Sequence, residues 1–184
     1  MLYTGKGDDG TTRTLAKSSG RISKSSCQTE LLGVLDELNS FIGLVKVKAY
    51  DKNLSVKGKS FADIMLWVQN NLFIIQAETA GSDKEITKGK VKEMEVWIDA
   101  IEHELPPIKT FLISGGTELT ALLDISRTLA RKVERRLIGA CEEKSIKVGS
   151  ETLAFLNRLS SLFYAMARLS SHKSGIKEVP PSYE

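Results

Sequence analysis

The chain has 184 residues, long enough for one domain with a sizeable core and only marginally long enough for two. Its 41% hydrophobic and 27% charged residues are typical of an ordinary globular protein. The 26 basic and 23 acidic residues nearly cancel, at a net charge of +3. This balance gives no electrostatic argument for nucleic acid as the main partner.

Cysteine usage and the apolar pattern indicate the compartment. Cys27 and Cys141 lie far apart and have no metal-ligand spacing around them, so we expect reduced thiols. The N-terminus lacks the apolar stretch of a signal peptide, and no segment approaches the roughly 18 apolar residues of a membrane span. The sequence therefore predicts a cytoplasmic protein with no membrane segment.

The first 26 residues are rich in glycine, serine and threonine and have almost no apolar periodicity, which predicts an extended or looped arm. A disordered leader is the alternative. Glycines let backbone N–H groups approach an anion, and hydroxyl groups can donate to phosphate oxygens. Lys24 adds a point charge suited to a polyphosphate. Because the Walker spacing is absent, a phosphate cradle and an ordinary flexible loop both remain open.

Five segments with helical periodicity follow the arm. The first carries an apolar seam over 31–45, and the second runs over 61–75 with Gly81 as a plausible stop. The third spans about 88–104, before two prolines that forbid continuation. The fourth begins after the N-cap Thr117 and runs to about 142.

The fifth helical segment extends from about 150 to 172, and the last residues read as a tail that is frayed or docked at a surface. No convincing strand run longer than a few residues occurs. Five long helices with short connections predict an all-α antiparallel bundle.

The fourth helix carries the most informative charges. Arg127, Arg131 and Arg135 follow at i, i+4 and i+8 and so project from one face. A solvated stripe of this kind is commonplace, but this one adjoins the apolar residues Val133 and Leu137. If the arginines are buried, they need carboxylate or phosphate partners.

Two residues on other helices are candidate partners. Asp36 lies at the edge of the apolar seam of the first helix. It would pair with an arginine of the stripe if it faced the fourth helix. Asn157 interrupts an apolar stretch of the fifth helix. It is either a residue that sets the register of the bundle or a hydrogen-bonding group for a ligand.

Two residue patterns that are absent from the sequence argue against particular kinds of catalytic site. No Glu-x-x-His pair occurs, which disfavours a ferritin-like di-metal centre, and no protein metal site is predicted. No pairing of histidine with serine or cysteine suggests a protein nucleophile. Any reaction must therefore take its nucleophile from elsewhere, while the protein supplies cations and positioning.

Six short motifs, in this order and at these separations, are specific together. They are Tyr-Thr-x-x-Gly-Asp-x-Gly-x-Thr over 3–12, Gly-Arg-x-x-Lys over 20–24, Asp-Glu-Leu-Asn over 36–39, Phe-x-x-x-Gly-Gly over 111–116, Arg-x-x-x-Arg-x-x-Glu-Arg over 127–135 and Leu-Asn-Arg-Leu-Ser over 156–160. Over essentially its whole length the chain resembles the PduO-type ATP:cob(I)alamin adenosyltransferases. It departs from the residues usual in that family at Ser114, Asp124, Lys132 and Ser161.

The resemblance implies a five-helix antiparallel bundle of the ferritin-like, cobalamin adenosyltransferase-like type, with an extended N-terminal arm. It implies one domain over 1–184, in which 1–26 is a nucleotide-binding arm, 27–172 the bundle and 173–184 the tail. It also implies a homotrimer that binds ATP at its subunit interfaces.

The resemblance assigns roles to individual residues. The expected nucleotide-binding set is Thr4, Gly5, Gly7, Asp8, Gly10, Thr11, Thr12, Lys24, Arg127, Arg131, Glu134, Arg135 and Asn157. Asp36 and Arg131 match an inter-subunit ion pair, and Phe111 matches an aromatic residue that blocks the lower face of the corrin. The expected catalytic set is Arg131, Arg135, Asp36 and Phe111.

The reaction implied by the resemblance starts from ATP, Mg²⁺ and cob(I)alamin. Cobalt(I) attacks the 5′ carbon of ATP and expels triphosphate. A separate cob(II)alamin reductase would supply the electron, and an adenosylcobalamin-dependent acceptor enzyme is a possible further partner. The alternative is a helical bundle that binds a corrinoid or a nucleotide without turnover.

Overall fold

A computed structural model describes residues 2–15 and 20–183; residues 1, 16–19 and 184, which fall in the predicted arm and tail, lie outside it. Five helices dominate: α1 Cys27–Ala49, α2 Phe61–Thr79, α3 Lys88–Glu104, α4 Glu118–Glu142 and α5 Ser150–Lys173. Four two-residue strands form two antiparallel hairpins: β1 Thr11–Thr12 with β2 Ile22–Ser23, and β3 Ser55–Val56 with β4 Lys59–Ser60. The prediction of an all-α, five-helix protein is confirmed.

Local capping explains where three of the helices begin. The side chains of Ser26, Ser60 and Thr117 each accept a hydrogen bond from a backbone N–H three residues later, at the starts of α1, α2 and α4. These bonds satisfy N–H groups that have no partner within the helix. The β3–β4 hairpin, which the sequence analysis did not predict, turns at Lys57 and Gly58, both with positive φ.

Contacts at both ends of α1 and α4 show the relative direction of these two packed helices. Lys48, near the end of α1, pairs with Glu118 at the start of α4, at 2.8 Å. At the opposite end of the two helices, the thiol of Cys27 donates to Glu143, also at 2.8 Å. The two helices are therefore antiparallel.

Helices α4 and α5 are also antiparallel, since Thr120 near the start of α4 contacts Ser171 near the end of α5, with their hydroxyl oxygens 3.1 Å apart. Helix α1 packs against α2 and α4, and α5 packs against α4 and α3. This arrangement places α4 between α1 and α5.

The core follows the apolar seams of the five helices, and the predicted seam of α1 is fully buried. Trp67 of α2 contacts Trp97 of α3 edge to face and also lies against Phe155 of α5, with ring centroids 4.9 and 5.6 Å away. Among the described residues, no helix is both long and apolar enough to cross a membrane.

Helix α5 begins with an N-cap supplied by another helix. Gly149 occupies the N-cap position and has no side chain with which to cap. The carboxylate of Glu78, at the end of α2, accepts a hydrogen bond from the Gly149 N–H at 2.7 Å and one from the Thr152 hydroxyl at 2.6 Å. A negative charge at a helix N-terminus is also favoured by the helix dipole. Glu78 therefore ties the start of α5 to α2.

We expect Glu78→Ala to lower the free energy of unfolding by about 1–2 kcal/mol, because α5 loses its cap and the hydroxyl of the buried Thr152 loses its partner. Urea denaturation followed by circular dichroism measures the change. Glu85→Ala, which removes an exposed acid from the α2–α3 connection, is the control and should change the free energy little. Equal values for the two variants would contradict the capping role.

Candidate active site

A cavity of about 920 Å³ opens at one end of the bundle, at the upper end of the range of about 300–1,000 Å³ typical of small-molecule sites. The α3–α4 loop over 108–116, one face each of α4 and α5, and the tail over 176–179 form its walls. Three of the candidates from sequence, Phe111, Arg127 and Arg131, line it together.

The loop presents Phe111 to solvent. Its side chain is 80% exposed, which leaves a large aromatic surface uncovered in the cavity wall. The loop is anchored to α4, because the Gly115 N–H donates to the carboxylate of Asp124 at 2.9 Å. Gly115 and Gly116 have φ of 104° and 130°, and a Cβ on Gly116 would lie 3.1 Å from the side chain of Ile176. Both the turn and the close approach of the tail therefore favour glycine here.

The tail is docked rather than frayed. The guanidinium of Arg168, only 8% exposed, donates to both carboxylate oxygens of Glu178 at 2.5 and 2.9 Å and to the Pro106 carbonyl at 2.9 Å. The Ile113 N–H donates to the Val179 carbonyl at 2.9 Å. The hydrogen bonds to Glu178 raise the pKa of Arg168. The sequence analysis missed Arg168, although a charge inside the apolar stretch of α5 was a usable signal.

The arginine stripe is less buried than its apolar neighbours suggested. Val133 and Leu137 are fully buried, but Arg131 and Arg135 are exposed. Only Arg127 is partly buried, with 29% of its side chain exposed. Its buried Nε lies 3.8 Å from the nearest carboxylate oxygen and has no hydrogen-bond partner among the described residues.

Asp36 makes no ion pair with the stripe within the chain, so the condition for its pairing with an arginine, that it face the fourth helix, is not met. Its side chain is exposed, and the neighbouring Glu37 pairs instead with Lys132 of α4 at 2.7 Å. A shift of one residue turns a side chain by about 100° around a helix, so Glu37 faces α4 and Asp36 faces away from it. A pairing of Asp36 with Arg131 of another subunit stays a prediction.

Two candidates from sequence meet across α4 and α5. The amide Nδ2 of Asn157 donates to the carboxylate of Glu134 at 2.8 Å. Asn157 is exposed, which argues against a buried residue that sets the bundle register. A carboxylate and an amide side by side offer a ligand both acceptors and donors. Arg135 follows Glu134 on α4 and is also exposed.

The arm is folded rather than disordered over its described residues. Thr4, Gly5, Gly7, Asp8 and Gly10 lie in the segment before β1, and Thr11 and Thr12 form β1. Lys24 donates to the Gly7 carbonyl at 2.7 Å, and a Cβ on Gly7 would lie 3.1 Å from the Lys24 nitrogen. A side chain at position 7 would crowd this ammonium group and the Thr11 carbonyl, 3.2 Å away, so the close approach favours glycine.

Arg21 clamps the same loop from the other side. Its guanidinium donates to the Lys6 carbonyl, and to the Thr11 carbonyl at 2.8 Å. Thr11 in turn donates to the Asp9 carboxylate through its hydroxyl at 2.7 Å and through its backbone N–H at 2.9 Å. These two hydrogen bonds lower the pKa of Asp9. The sequence analysis selected only Lys24 from the Gly-Arg-x-x-Lys motif, and Asp8 but not Asp9 from the motif over 3–12, so it missed Arg21 and Asp9.

The described residues hold no group of three or more His, Cys, Asp or Glu side chains that could bind a metal ion.

Comparison with known proteins identifies the family to which the site belongs. The chain matches the family model for cobalamin adenosyltransferase over residues 2–170. It belongs to the cobalamin adenosyltransferase family. The family, the helical fold and the enzyme class predicted from the motifs are thereby confirmed.

Individual relatives agree with the family model. The chain is 36% identical to the corrinoid adenosyltransferase of Bacillus subtilis, over 97% of the chain and 90% of the relative. It is 32% identical to the corrinoid adenosyltransferase PduO of Citrobacter freundii, over 93% of the chain and 50% of the relative. The chain thus spans about half the length of that second relative.

Solved structures show the same fold. A variant of the PduO-type ATP:corrinoid adenosyltransferase of Lactobacillus reuteri, complexed with ATP, superposes with a TM-score of 0.87 at 25% identity, over 98% of this chain and 100% of that one. A second variant of that protein, complexed with cobalamin and ATP, gives a TM-score of 0.85 at 25% identity, over 98% of this chain and 99% of that one.

We expect Glu178→Ala to free the tail, because its buried partner Arg168 then keeps only the Pro106 carbonyl. Hydrogen exchange of the Ile113 N–H, which donates to the tail, should accelerate about tenfold. Lys173→Ala, which breaks an ion pair between exposed side chains near the same end of α5, is the control and should leave the exchange rate unchanged. Unchanged protection in Glu178→Ala would show that the pair does not hold the tail.

Proposed function

We propose that the chain transfers the 5′-deoxyadenosyl group of ATP to the cobalt of cob(I)alamin, giving adenosylcobalamin and triphosphate. The observation that carries the proposal is the cavity in which an exposed Phe111 and the cations Arg127 and Arg131 face one space. In a chain of this family, that combination suits two ligands side by side: one large ligand with a flat apolar surface and one anionic ligand. The solved relative binds both cobalamin and ATP.

The corrinoid occupies the cavity, with its ring against Phe111. An exposed aromatic side chain gains free energy when a flat apolar surface covers it. At the lower face of the corrin, Phe111 excludes an axial ligand from cobalt. A four-coordinate cobalt(II) is easier to reduce, because loss of the axial ligand lowers the orbital that accepts the electron.

ATP binds through the arm and the exposed groups of α4 and α5. Lys24, Arg131 and Arg135 supply positive charge to the triphosphate, and Glu134 and Asn157 supply hydrogen-bonding groups. Mg²⁺ arrives with ATP and is held mainly by phosphate oxygens, as is usual for this ion.

The chemistry requires no protein nucleophile. The electron pair of cobalt(I) forms the bond to the 5′ carbon, and the C5′–O bond breaks with its electron pair passing to triphosphate. The protein holds cobalt and carbon in line and stabilises the negative charge that develops on the departing oxygen. Arginine and lysine side chains suit this task.

A homotrimer with a site at each subunit interface completes the proposal. In support, the hydrogen bonds of Lys24 and Arg21 all end within the arm, while Asp36, Arg131 and Arg135 project into solvent. Helices α1 and α4, which pack together, also expose the large apolar side chains Leu44, Val47, Ile125 and Ile138. A second subunit would cover such side chains and bring Asp36 to Arg131.

The remaining assignments belong to the same proposal. Residues 1–26 form the nucleotide-binding arm, 27–172 the bundle and 173–184 the tail of one domain. A separate cob(II)alamin reductase supplies the electron, and the cytoplasm is the site of action. An acceptor enzyme would receive the adenosylcobalamin.

The direct test combines the protein with Mg-ATP and cob(I)alamin under strong reductant in the absence of oxygen. We expect loss of cob(I)alamin absorbance together with one adenosylcobalamin and one triphosphate per turnover. Folded protein that binds both ligands and yields no product would favour the non-catalytic corrinoid- or nucleotide-binding bundle instead.

Arg131→Ala should lower kcat/KM for ATP by about a hundredfold and weaken the trimer, because the variant loses a cation at the developing charge and the partner of Asp36. Steady-state kinetics and the mass in solution measure the two effects. Arg136→Ala, an exposed arginine of the same helix outside the motif, is the matched control. Unchanged kinetics and mass in Arg131→Ala would remove Arg131 from the site.

A further inference from the structure

The hydrogen bond between Glu134 and Asn157 depends on which way the amide of Asn157 points. Its Nδ2 faces the Glu134 carboxylate, at 2.8 Å. A rotation of the amide by 180° would exchange oxygen and nitrogen at almost no steric cost, because the two ends are nearly isosteric. Asn157 is exposed, so the apolar core does not determine its orientation. Its hydrogen-bonding neighbours do so, and the Glu134 carboxylate, which only accepts, is the first of them.

Arg158, the next residue along α5, reinforces that selection from the other end of the amide. Its Nη1 donates to the Oδ1 of Asn157 at 3.0 Å. A guanidinium group only donates hydrogen bonds, so it pairs with the oxygen of the amide and not with the nitrogen. The flipped amide would place its nitrogen against Arg158 and its oxygen against the Glu134 carboxylate, two unfavourable contacts at once.

A third helix holds Arg158 in turn. Its Nε lies 3.5 Å from a carboxylate oxygen of Glu95 on α3, and the two side chains are 43% and 31% exposed. The other carboxylate oxygen of Glu95 pairs with Lys92, also at 3.5 Å. An arginine side chain loses considerable rotamer entropy when it is fixed, and an ion pair on a neighbouring helix offsets part of that loss.

The four side chains therefore form one chain of contacts, Glu95–Arg158–Asn157–Glu134, across α3, α5 and α4. Neither Arg158 nor Glu95 lines the large cavity. With one lone pair of Oδ1 occupied by Arg158 and one hydrogen of Nδ2 by Glu134, the amide has one acceptor position and one donor position left for a ligand.

We propose that Arg158 and Glu95 are positioning residues for ATP, which fix the donor and acceptor that the Asn157 amide presents to the nucleotide. The inference rests on the proposed function, since it takes Asn157 as part of the nucleotide site. Arg158 acts through Asn157 and does not itself contact the substrate.

Three variants test the inference against the wild-type protein. Arg158→Gln removes the donor-only group, because a glutamine amide can pair with either orientation of Asn157. It should raise KM for ATP about three- to tenfold and leave KM for cob(I)alamin unchanged. Arg158→Lys keeps a cation that only donates and should stay within about twofold of wild type. Glu95→Gln should raise KM for ATP in the same direction but less.

Glu93→Gln is the matched control, because Glu93 lies on the same helix and pairs with Lys59, away from α5. It should change neither KM value, and circular dichroism should show the same unfolding transition in all variants.

The results separate this inference from the proposed function. An active wild type in which Arg158→Gln has an unchanged KM for ATP would overturn the inference alone, as would equal effects on both substrates. An Arg158→Lys variant as impaired as Arg158→Gln would also contradict it. An inactive wild type would instead contradict the proposed function.

Discussion

The packing of α4 between α1 and α5 is the constraint on which the candidate site depends. Val133 and Leu137 of α4 are fully buried, and this fixes the rotation of the helix about its axis. Because side chains on a helix turn by about 100° per residue, the same rotation exposes Arg131 and Arg135 and sets Glu134 against α5. One apolar seam therefore determines both the stability of the bundle and the direction of its cations.

The candidate site also requires the cavity beside the first half of α4, whose walls come from segments that are far apart in the sequence. The α3–α4 loop carries Phe111, and the tail docks beside it through the buried pair of Arg168 and Glu178. Loss of the only carboxylate partner of a buried arginine strongly destabilises a protein. The pair therefore holds the tail in place as one wall of the cavity. The apolar and cationic sides of the cavity thus come from different parts of the fold.

Local signals made the helices predictable from sequence. Thr117 caps α4 as expected, and the apolar seams are buried as their period indicated. The same reasoning did not predict pairings that depend on tertiary contacts. Glu37, not Asp36, faces α4, and the pairing of Arg168 with Glu178 requires a docked tail. The meeting of Glu134 with Asn157 depends on helix register, which no local pattern specifies.

Our central proposal is that adenosyl transfer takes place at a subunit interface, between the arm of one subunit and the α4 cations of another. Coexpression of a Lys24→Ala chain with an Arg135→Ala chain, each carrying a different affinity tag, tests it most directly. Each variant alone should be nearly inactive in adenosylcobalamin formation, whereas purified mixed trimers should recover about a third of wild-type activity, since every trimer that contains both chains pairs an intact arm with an intact α4 at one of its three interfaces. Mixed trimers no more active than the two variants alone would contradict a site shared between subunits.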